Sequence, residues 1–401
     1  MEASASLSNL PQDIIRHILL QLPVKCVIRC QCVCKQWRSL IDDSDFKFSY
    51  RGQLRMILLS PEFKSKDRWR RSIVKSTSHD LRLRRHKWPF GEESPLIRED
   101  NLRVLCSCNG LVLLLRVGTE DIWLWNPSTK CSTKVLESPY PEEFNHIYLG
   151  GLCYDSCTSD YKVVLLIHPI GFDPFEFGYP FYPFFISASF KHKKWRQVQF
   201  PCNSKSVRAG LEFRNTFHWW ASDMKDWDWY KNYSSDRNKI VYFDPAHDEF
   251  RILPLPTPEL SKNFSIFGLG VIDDCLCMAA CLVHDEEEEP KIKTIWIMKE
   301  YGRQESWMIA FTMQMPELGD IYGSYGLTFY SQKKNVQEVL FLHTVGWCVR
   351  HVYIYDRTKH ELKEDPVCRN FVSMCFYVES LACPGTNTLS RISTGWMKVY
   401  K

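Results

Sequence analysis

The chain has 401 residues with 51 Lys and Arg against 47 Asp and Glu, a net charge of +4, too slight an excess for a dedicated nucleic-acid binder with its concentrated basic face. That length suggests two domains, or a small one joined to a large one. No apolar run approaches the roughly 18 residues of a membrane span, and MEASASLSNL lacks the basic and apolar regions of a secretory signal, so a cytosolic or nuclear protein with no nucleic-acid or membrane partner is expected.

From Leu7 to Phe48 the pattern is helical. Ile14, Ile15, Ile18, Leu19 and Leu22 fall on one helix face, and Gln12, Asp13, Arg16, His17 and Gln21 on the other. Leu10-Pro11 starts this helix, since proline has no amide hydrogen to lose in a first turn, and Leu22-Pro23 stops it and restarts another at Val24. The second helix carries Val24, Val27 and Ile28; a third carries Val33, Trp37, Leu40 and Ile41 until Asp42-Asp43-Ser44 ends it. Three short helices have too much surface for their volume to hide all these side chains, so some are expected to face a partner. The alternative is a helical cap packed on the rest of the chain.

Near Tyr50 to Gln53 the periodicity turns strand-like, and LRMILLS (54 to 60) reads as a strand. A basic segment, Lys64 to Lys87, reads as a solvated loop. Then a plan repeats: IWLWNPSTK, IVYFDPAHDEF, TIWIMKEYGRQESW and HVYIYDRTKHEL, with FFISASFKHKKW as a looser copy. Each is an alternating apolar strand, a turn and a polar stretch that re-enters a sheet, and a further strand candidate precedes each: 111 to 115, 161 to 168, 216 to 222, 275 to 283 and 338 to 343. Taking Asn126, Lys191, Asp244, Lys299 and Asp356 as equivalent gives separations of 65, 53, 55 and 57 residues, room for one four-stranded sheet per repeat.

Such sheets have two apolar faces and must stack; radial closure into a β-propeller satisfies all of them, with an open stack or a β-sandwich as the alternative. Five repeats are visible, and a sixth blade is expected from strand 54 to 60 paired with segment 370 to 384. An aromatic content of 14%, with 14 tryptophans, suits rings filling the space between sheets. The expected domains are therefore residues 4–50 (all-α, three helices), 54–384 (all-β, a propeller of about six blades) and a tail, 385–401. The 17 cysteines lack paired zinc-ligand spacing and read as reduced, mostly buried thiols, with no metal and no cofactor expected.

Two segments resemble known families. Leu10-Pro11, the isoleucine-rich helix, Leu22-Pro23-Val24 and Val-Cys-Lys-Gln-Trp-Arg-Ser-Leu-Ile resemble an F-box in content and order. The resemblance implies docking of the Skp adaptor of cullin–RING ubiquitin ligases through Leu10, Pro11, Ile14, Ile18, Leu22, Pro23, Val24, Cys34, Lys35 and Trp37. CSCNGLVLLL, IWLWNPSTK, YFDPAHDEFRILPLP, IWIMKEYG with ESW, and YVESLACP resemble the F-box-associated domain of plant F-box proteins, a group that includes F-box/kelch-type and S-locus F-box-like members. Of the paired glycines usual in kelch repeats, Gly150-Gly151 is the one example. What the two resemblances imply is a non-catalytic substrate-recognition subunit with a protein target, for which likeness to the S-locus group offers a ribonuclease as one candidate.

Catalysis finds little in the sequence. There is no Gly-x-Ser-x-Gly elbow, phosphate-binding loop or His-Glu-x-x-His pair, and Gly268-Leu269-Gly270 lacks the third glycine of a dinucleotide site. Asp223, Asp226 and Asp228 among Trp219, Trp220, Trp227, Trp229 and Tyr230 are the best hydrolase candidate, since glycosidases pair carboxylates beside sugar-stacking rings. The same stretch and GFDPFEFGYPFYPFF read better as binding loops, with Phe177, Tyr179, Phe181, Trp227, Trp229 and Tyr230 as target contacts. A glycan-binding module using those rings is the alternative function, a propeller hydrolase a remoter one. The acidic run 285 to 289 reads as a hairpin tip.

Overall fold

The N-terminal pattern folds as four helices: α1 (Gln12–Gln21), α2 (Val24–Cys30), α3 (Lys35–Asp42) and α4 (Ser44–Ser49). The computed structural model describes residues 10–384 apart from 64–69, 78–82, 86–101, 117–118, 120, 141–144, 170–182, 203–206, 208–209, 223–237, 257–263, 283–291, 315–324, 333–334, 346–347 and 366–372. The acidic run 285–289 and the tail 385–401 thus lie outside the described residues.

Pro11 opens α1 as expected, its carbonyl accepting from the Ile14 and Ile15 amides at 3.1 and 3.2 Å, and Pro23 opens α2 in the same way. The third helix begins later than its apolar pattern implied. Cys34 caps it, its sulfur accepting from the Trp37 amide at 3.4 Å, so Val33 stands in the turn before the helix, 63% exposed. The expected three helices are four because Asp43 both ends α3 and starts α4: its carboxylate accepts from the Phe46 amide at 3.0 Å. Ile15, Leu19, Val24, Val27, Leu40, Ile41, Phe46 and Tyr50 form the core of this unit, joined by Leu381 from the far end of the chain.

The strands that follow fall into six antiparallel four-strand groups among the described residues. β1 (Leu54–Phe63), β2 (Arg70–Thr77) and β3 (Leu83–Arg85) are joined by β24 (Ser373–Val378) in the order β24-β1-β2-β3, so the chain ends close one sheet as expected, with Leu54 opposite Val378 and Leu59 opposite Ser373. Part of the basic segment read as a loop is therefore strand, in β2 and β3. Next come β4 (Leu102–Cys108), β5 (Leu111–Arg116), β6 (Asp121–Asn126) and β7 (Cys131–Glu137), then β8 (Asn145–Asp155), β9 (Asp160–Pro169), β10 (Phe184–Ser189) and β11 (Trp195–Val198). β12 (Gly210–Phe213), β13 (Thr216–Ser222), β14 (Asn238–Asp244) and β15 (Glu249–Leu253) form another sheet. The last two groups are β16 (Phe264–Ile272), β17 (Cys275–Leu282), β18 (Ile292–Met298) and β19 (Trp307–Gln314), and β20 (Tyr325–Gln332), β21 (Asn335–Val345), β22 (Cys348–Asp356) and β23 (Glu361–Glu364).

Apolar side chains fill the space between neighbouring sheets all the way round. β1 shows how a continuous apolar run serves this: Met56 and Leu58 pack against Leu340, Leu342 and Val352 on one side, while Ile57 and Leu59 pack against Val104, Val112, Leu114 and Trp125 on the other. Aromatic rings fill these layers as the composition implied, with Trp125, Trp219, Phe185, Phe243, Phe329 and Phe341 fully buried. The first strands of successive sheets lie side by side, and between β16 and β20 they pair in parallel. Glycine permits that approach: a Cβ on Gly268 would lie 1.9 Å from the Leu327 carbonyl oxygen, and one on Gly150 would lie 2.8 Å from Leu105 Cδ1. The paired glycines and the Gly-Leu-Gly thus serve strand packing.

The repeated turn has a common build. Asn126, Asp244 and Asp356 each accept from the amide two residues on, at 2.8, 3.0 and 2.9 Å, and the fifth residue, Lys130, Asp248 or His360, has φ of 63°, 60° or 57°. In the looser copy the equivalent residue is Ser189, not Lys191: the Ser189 carbonyl accepts from the Lys193 amide at 2.8 Å, and its hydroxyl substitutes for the Asx oxygen. The Lys299 copy turns differently, through Gly302 at φ 85°.

Helical unit and β domain share a joint. Within the helical unit the Tyr50 hydroxyl donates to the Leu22 carbonyl at 2.8 Å; across the joint the Gly52 amide donates to the Glu379 carbonyl at 2.8 Å and the Glu379 amide to the Gln53 carbonyl at 2.9 Å, Arg55 pairs with Glu379, and Phe48 meets Tyr154 at 5.1 Å between ring centroids.

Candidate functional site

Two neighbouring residues of α1 show how the helical unit divides its apolar side chains. Ile15 and Leu19 are 3% and 0% exposed, in the core, whereas Ile14 and Ile18 are 48% and 44% exposed, with Leu10 at 36% beyond the start of the helix. Five apolar residues cannot all share one contact on a helix that advances ~100° per residue, so the face splits into an inward and an outward stripe. Pro11 and Pro23 are exposed and Leu22 is half-buried. Val24, grouped from the sequence with the docking residues, is 2% exposed and packs in the core, because the proline-started α2 turns its first residue inward.

At the head of α3, Cys34 and Lys35 are exposed and Trp37 is half-buried against the core. Lys35 also lines a shallow cleft of about 660 Å³ with Gln12, Arg38, Ser39, Leu40, Asp42 and Asp43, where Arg38 and Asp42 approach to 3.8 Å. Of the cleft's charged residues the sequence reading assigned a docking role to Lys35 alone, because a charge on a solvated helix carries no periodic signal.

The aromatic candidates fare differently. Phe177, Tyr179, Phe181, Trp227, Trp229 and Tyr230 lie outside the described residues, as do Asp223, Asp226 and Asp228. Trp219 and Trp220, read with those carboxylates as sugar-stacking rings, are instead core side chains at 0% and 9% exposure; Trp219 meets Phe185 and Phe250 edge-on, at 5.7 Å each. Alternation along β13 puts successive tryptophans into two different inter-sheet layers.

Two titratable groups of the β domain are strongly perturbed. Burial pushes the His218 imidazole down to about 3, and its Nε2 lies 2.7 Å from the Tyr301 hydroxyl. Glu212 is pushed up to about 7, also by burial, against the opposing effects of the Asn215 amide, which donates to it at 2.6 Å, and of Arg51. Thiols were expected to be mostly buried; of the described ones Cys106, Cys108, Cys153 and Cys277 are, while Cys26, Cys32, Cys34 and Cys157 are exposed.

Residues 69–383 match the family described as "F-box associated beta propeller domain", and residues 7–49 match the F-box domain. The chain belongs to the F-box proteins with an F-box-associated β-propeller. Among relatives, F-box protein CPR1 of Arabidopsis thaliana is 27% identical over 352 residues, covering 82% of this chain and 78% of that protein. The Arabidopsis thaliana F-box/kelch-repeat protein At3g23880 is 27% identical over 311 residues, covering 75% of this chain and 78% of that one. A solved structure titled "Structure of Dos1 propeller" covers 79% of this chain and 67% of its own, at 8% identity and a TM-score of 0.35, a likeness too slight to argue from.

An F-box joined to a β-propeller, with F-box proteins as relatives, supports a substrate-recognition role in Skp–cullin–F-box ligases in general, and the F-box indicates a Skp-type adaptor as partner. These relatives are adaptor proteins, generally non-catalytic, and none of the matched families is enzymatic. Neither relative's name specifies a target, so the ribonuclease expectation gains no support.

Proposed function

We propose that this F-box protein docks a Skp adaptor through Leu10, Ile14 and Ile18 and holds a protein target on its propeller, in the cytosol or nucleus. The outward stripe of α1 carries the reading: large apolar side chains are left in water on a unit whose core is already filled by Ile15, Leu19 and their partners. Pro11, Pro23, Leu22 and the Cys34–Trp37 corner flank that stripe in sequence, and the adaptor's apolar surface is its natural cover.

No bond is made or broken on this chain. Its contribution is proximity: a target bound to the propeller is kept near the ubiquitin-carrying enzyme at a raised effective concentration. The joint through Gly52, Glu379, Leu381 and the Phe48–Tyr154 ring contact supports this role, because hydrogen bonds and apolar packing hold the two units together where a flexible tether would let the target wander. The test is co-purification of a Skp adaptor with the full chain and with an I14D/I18D double variant. Loss of the adaptor with an unchanged melting curve is expected; undiminished binding would overturn the assignment.

A further inference from the structure

Each four-strand group of the ring ends outward in a strand that no described strand lies beyond: β3, β7, β11, β15, β19 and β23. A bare strand edge is a template for another strand, and charged side chains are the common guard against it. Five of the six are guarded, by Arg84 in β3, Lys134 in β7, Arg196 in β11, Arg251 in β15 and Lys363 in β23. β19, with the sequence Trp-Met-Ile-Ala-Phe-Thr-Met-Gln, has no charge in eight residues. On it Met308 and Ile309 are 49% and 51% exposed, more than any other large apolar side chain described in the β domain. Of its backbone groups, the Thr312 carbonyl has a side-chain partner, the Tyr355 hydroxyl at 3.5 Å.

We propose that β19 is a docking surface for a second copy of this chain, the two β19 strands pairing antiparallel about a two-fold axis and so joining one sheet of each propeller. The strand's bulge fits it to that partner. Ile309 pairs with Trp296 and Phe311 with Ile295, so Ala310 is the extra residue and the alternation of side chains reverses across it. Trp307 accordingly packs toward β12–β15, while Phe311 and Met313 pack toward β20–β23. With two copies centred between Ala310 and Phe311, Trp307 lies opposite Gln314, Met308 opposite Met313 and Ile309 opposite Thr312, and both members of each pair face the same layer. In an unbulged strand these pairs would point to opposite faces.

Charge selects the occupant. A strand laid on β19 sets its side chains against uncharged ones, and of the six described outer strands that a second copy presents, its β19 alone brings no charge. The resulting contact is isologous and closes on two chains. It is also separate from the surface assigned to the adaptor, and the proposal does not rest on that assignment: β19 is in the fifth group, whereas the helical unit meets the ring at Glu379, Asn109 and Tyr154, on the first, second and third. Eight residues a side is fewer than the roughly 20–30 of a standard interface, so the pair forms reversibly and its population rises with concentration.

The test is sedimentation velocity of the full chain from about 1 to 100 µM, with hydrogen exchange measured at both ends of the series. The mass should climb from one chain towards two, and residues 307–314 should exchange about threefold or more slowly at the high end. Ile309→Lys and, on the other face of the strand, Met308→Lys each place a guarding charge at an exposed position, and each should hold the mass at one chain throughout with an unchanged melting midpoint. The proposal falls if the wild type stays a single chain across the series, if its dimer survives both lysine variants, or if residues 307–314 gain no protection. A dimer abolished by I14D/I18D but not by Ile309→Lys would put the contact on the α1 stripe, and protection of β19 by a co-purified peptide on a single chain would give the edge to another protein; either result overturns the pairing of copies.

Discussion

Ile14 and Ile15 stand ~100° apart around α1, enough to send one into water and the other into a core, and substitutions at the two stripes should separate binding from folding. Leu19→Ala removes a fully buried side chain and should destabilise the chain by about 2–5 kcal/mol, read as a fall in the denaturation midpoint. Ile18→Asp, at an exposed position, should leave that midpoint within about 0.5 kcal/mol and weaken adaptor binding. His218 and Glu212 make separate predictions about pH. His218, held near 3 in the fold against an ordinary 6.5, is neutral when folded and charged when unfolded between those values, so it lowers stability as pH falls through that window. Glu212, near 7 in the fold against 4.5, does the reverse: the folded state keeps the proton, and stability falls as pH rises from 4.5 to 7. Their slopes oppose between pH 4.5 and 6.5. Glu212→Gln should therefore gain stability over the wild type as pH rises from 4.5 to 8, in melting curves taken across the range; a difference independent of pH would show that Glu212 is not protonated in the fold.

Strands and turns were legible to different degrees. In the five repeats the second and third strands of each group stood out because they read as apolar runs buried against both neighbouring sheets, such as Leu111 to Leu115 and Val163 to Ile167. Outer strands such as β11 and β23 were read only as the point where a polar stretch re-enters a sheet, since half-exposed segments like Trp195 to Val198 mix charge with apolar residues. The close approach of β16 to β20 was invisible in the Gly-Leu-Gly motif, because no single-strand pattern says which neighbour a glycine makes room for. Gly268→Ala should force backbone apart at Leu327 and cost about 1–3 kcal/mol or more, read as a lower melting midpoint. Asn126 serves two elements, turning its own hairpin through Ser128 and holding the strap that follows β24, residues 379–383, by donating to the Ser380 and Ala382 carbonyls. Asn126→Ala leaves buried carbonyls without their donor and should cost about 1–3 kcal/mol, with faster hydrogen exchange in residues 379–383 than a turn defect alone would give.

At the scale of the molecule, the first and last strands of the β domain share a sheet, so β24 is both a wall of the ring and the anchor of the strap. Removing residues 373–401 would expose the edge of β1, strip Phe376 and Tyr377 from two inter-sheet cores and withdraw Leu381 from the F-box. Aggregation or loss of a cooperative melt should follow, checked by light scattering and calorimetry; a soluble truncation with an unchanged midpoint would contradict closure through β24. Deleting residues 1–48 is a milder change, because the sheets keep all their partners, and the remaining domain should still melt cooperatively while Skp binding disappears.

Local order was what the sequence by itself determined. Prolines at 11 and 23, the helical spacing that follows them and the strand–turn repeats are all set by residues within a few positions of one another, where backbone sterics and periodicity act. Tertiary structure alone decided which apolar residue of α1 faces the core, that Val24 is buried, that Trp219 and Trp220 fill inter-sheet layers, and that Leu381 enters the helical core. Those outcomes depend on which distant surfaces come together, and a hydrophobic side chain has no direction until a partner surface excludes water from one side of it.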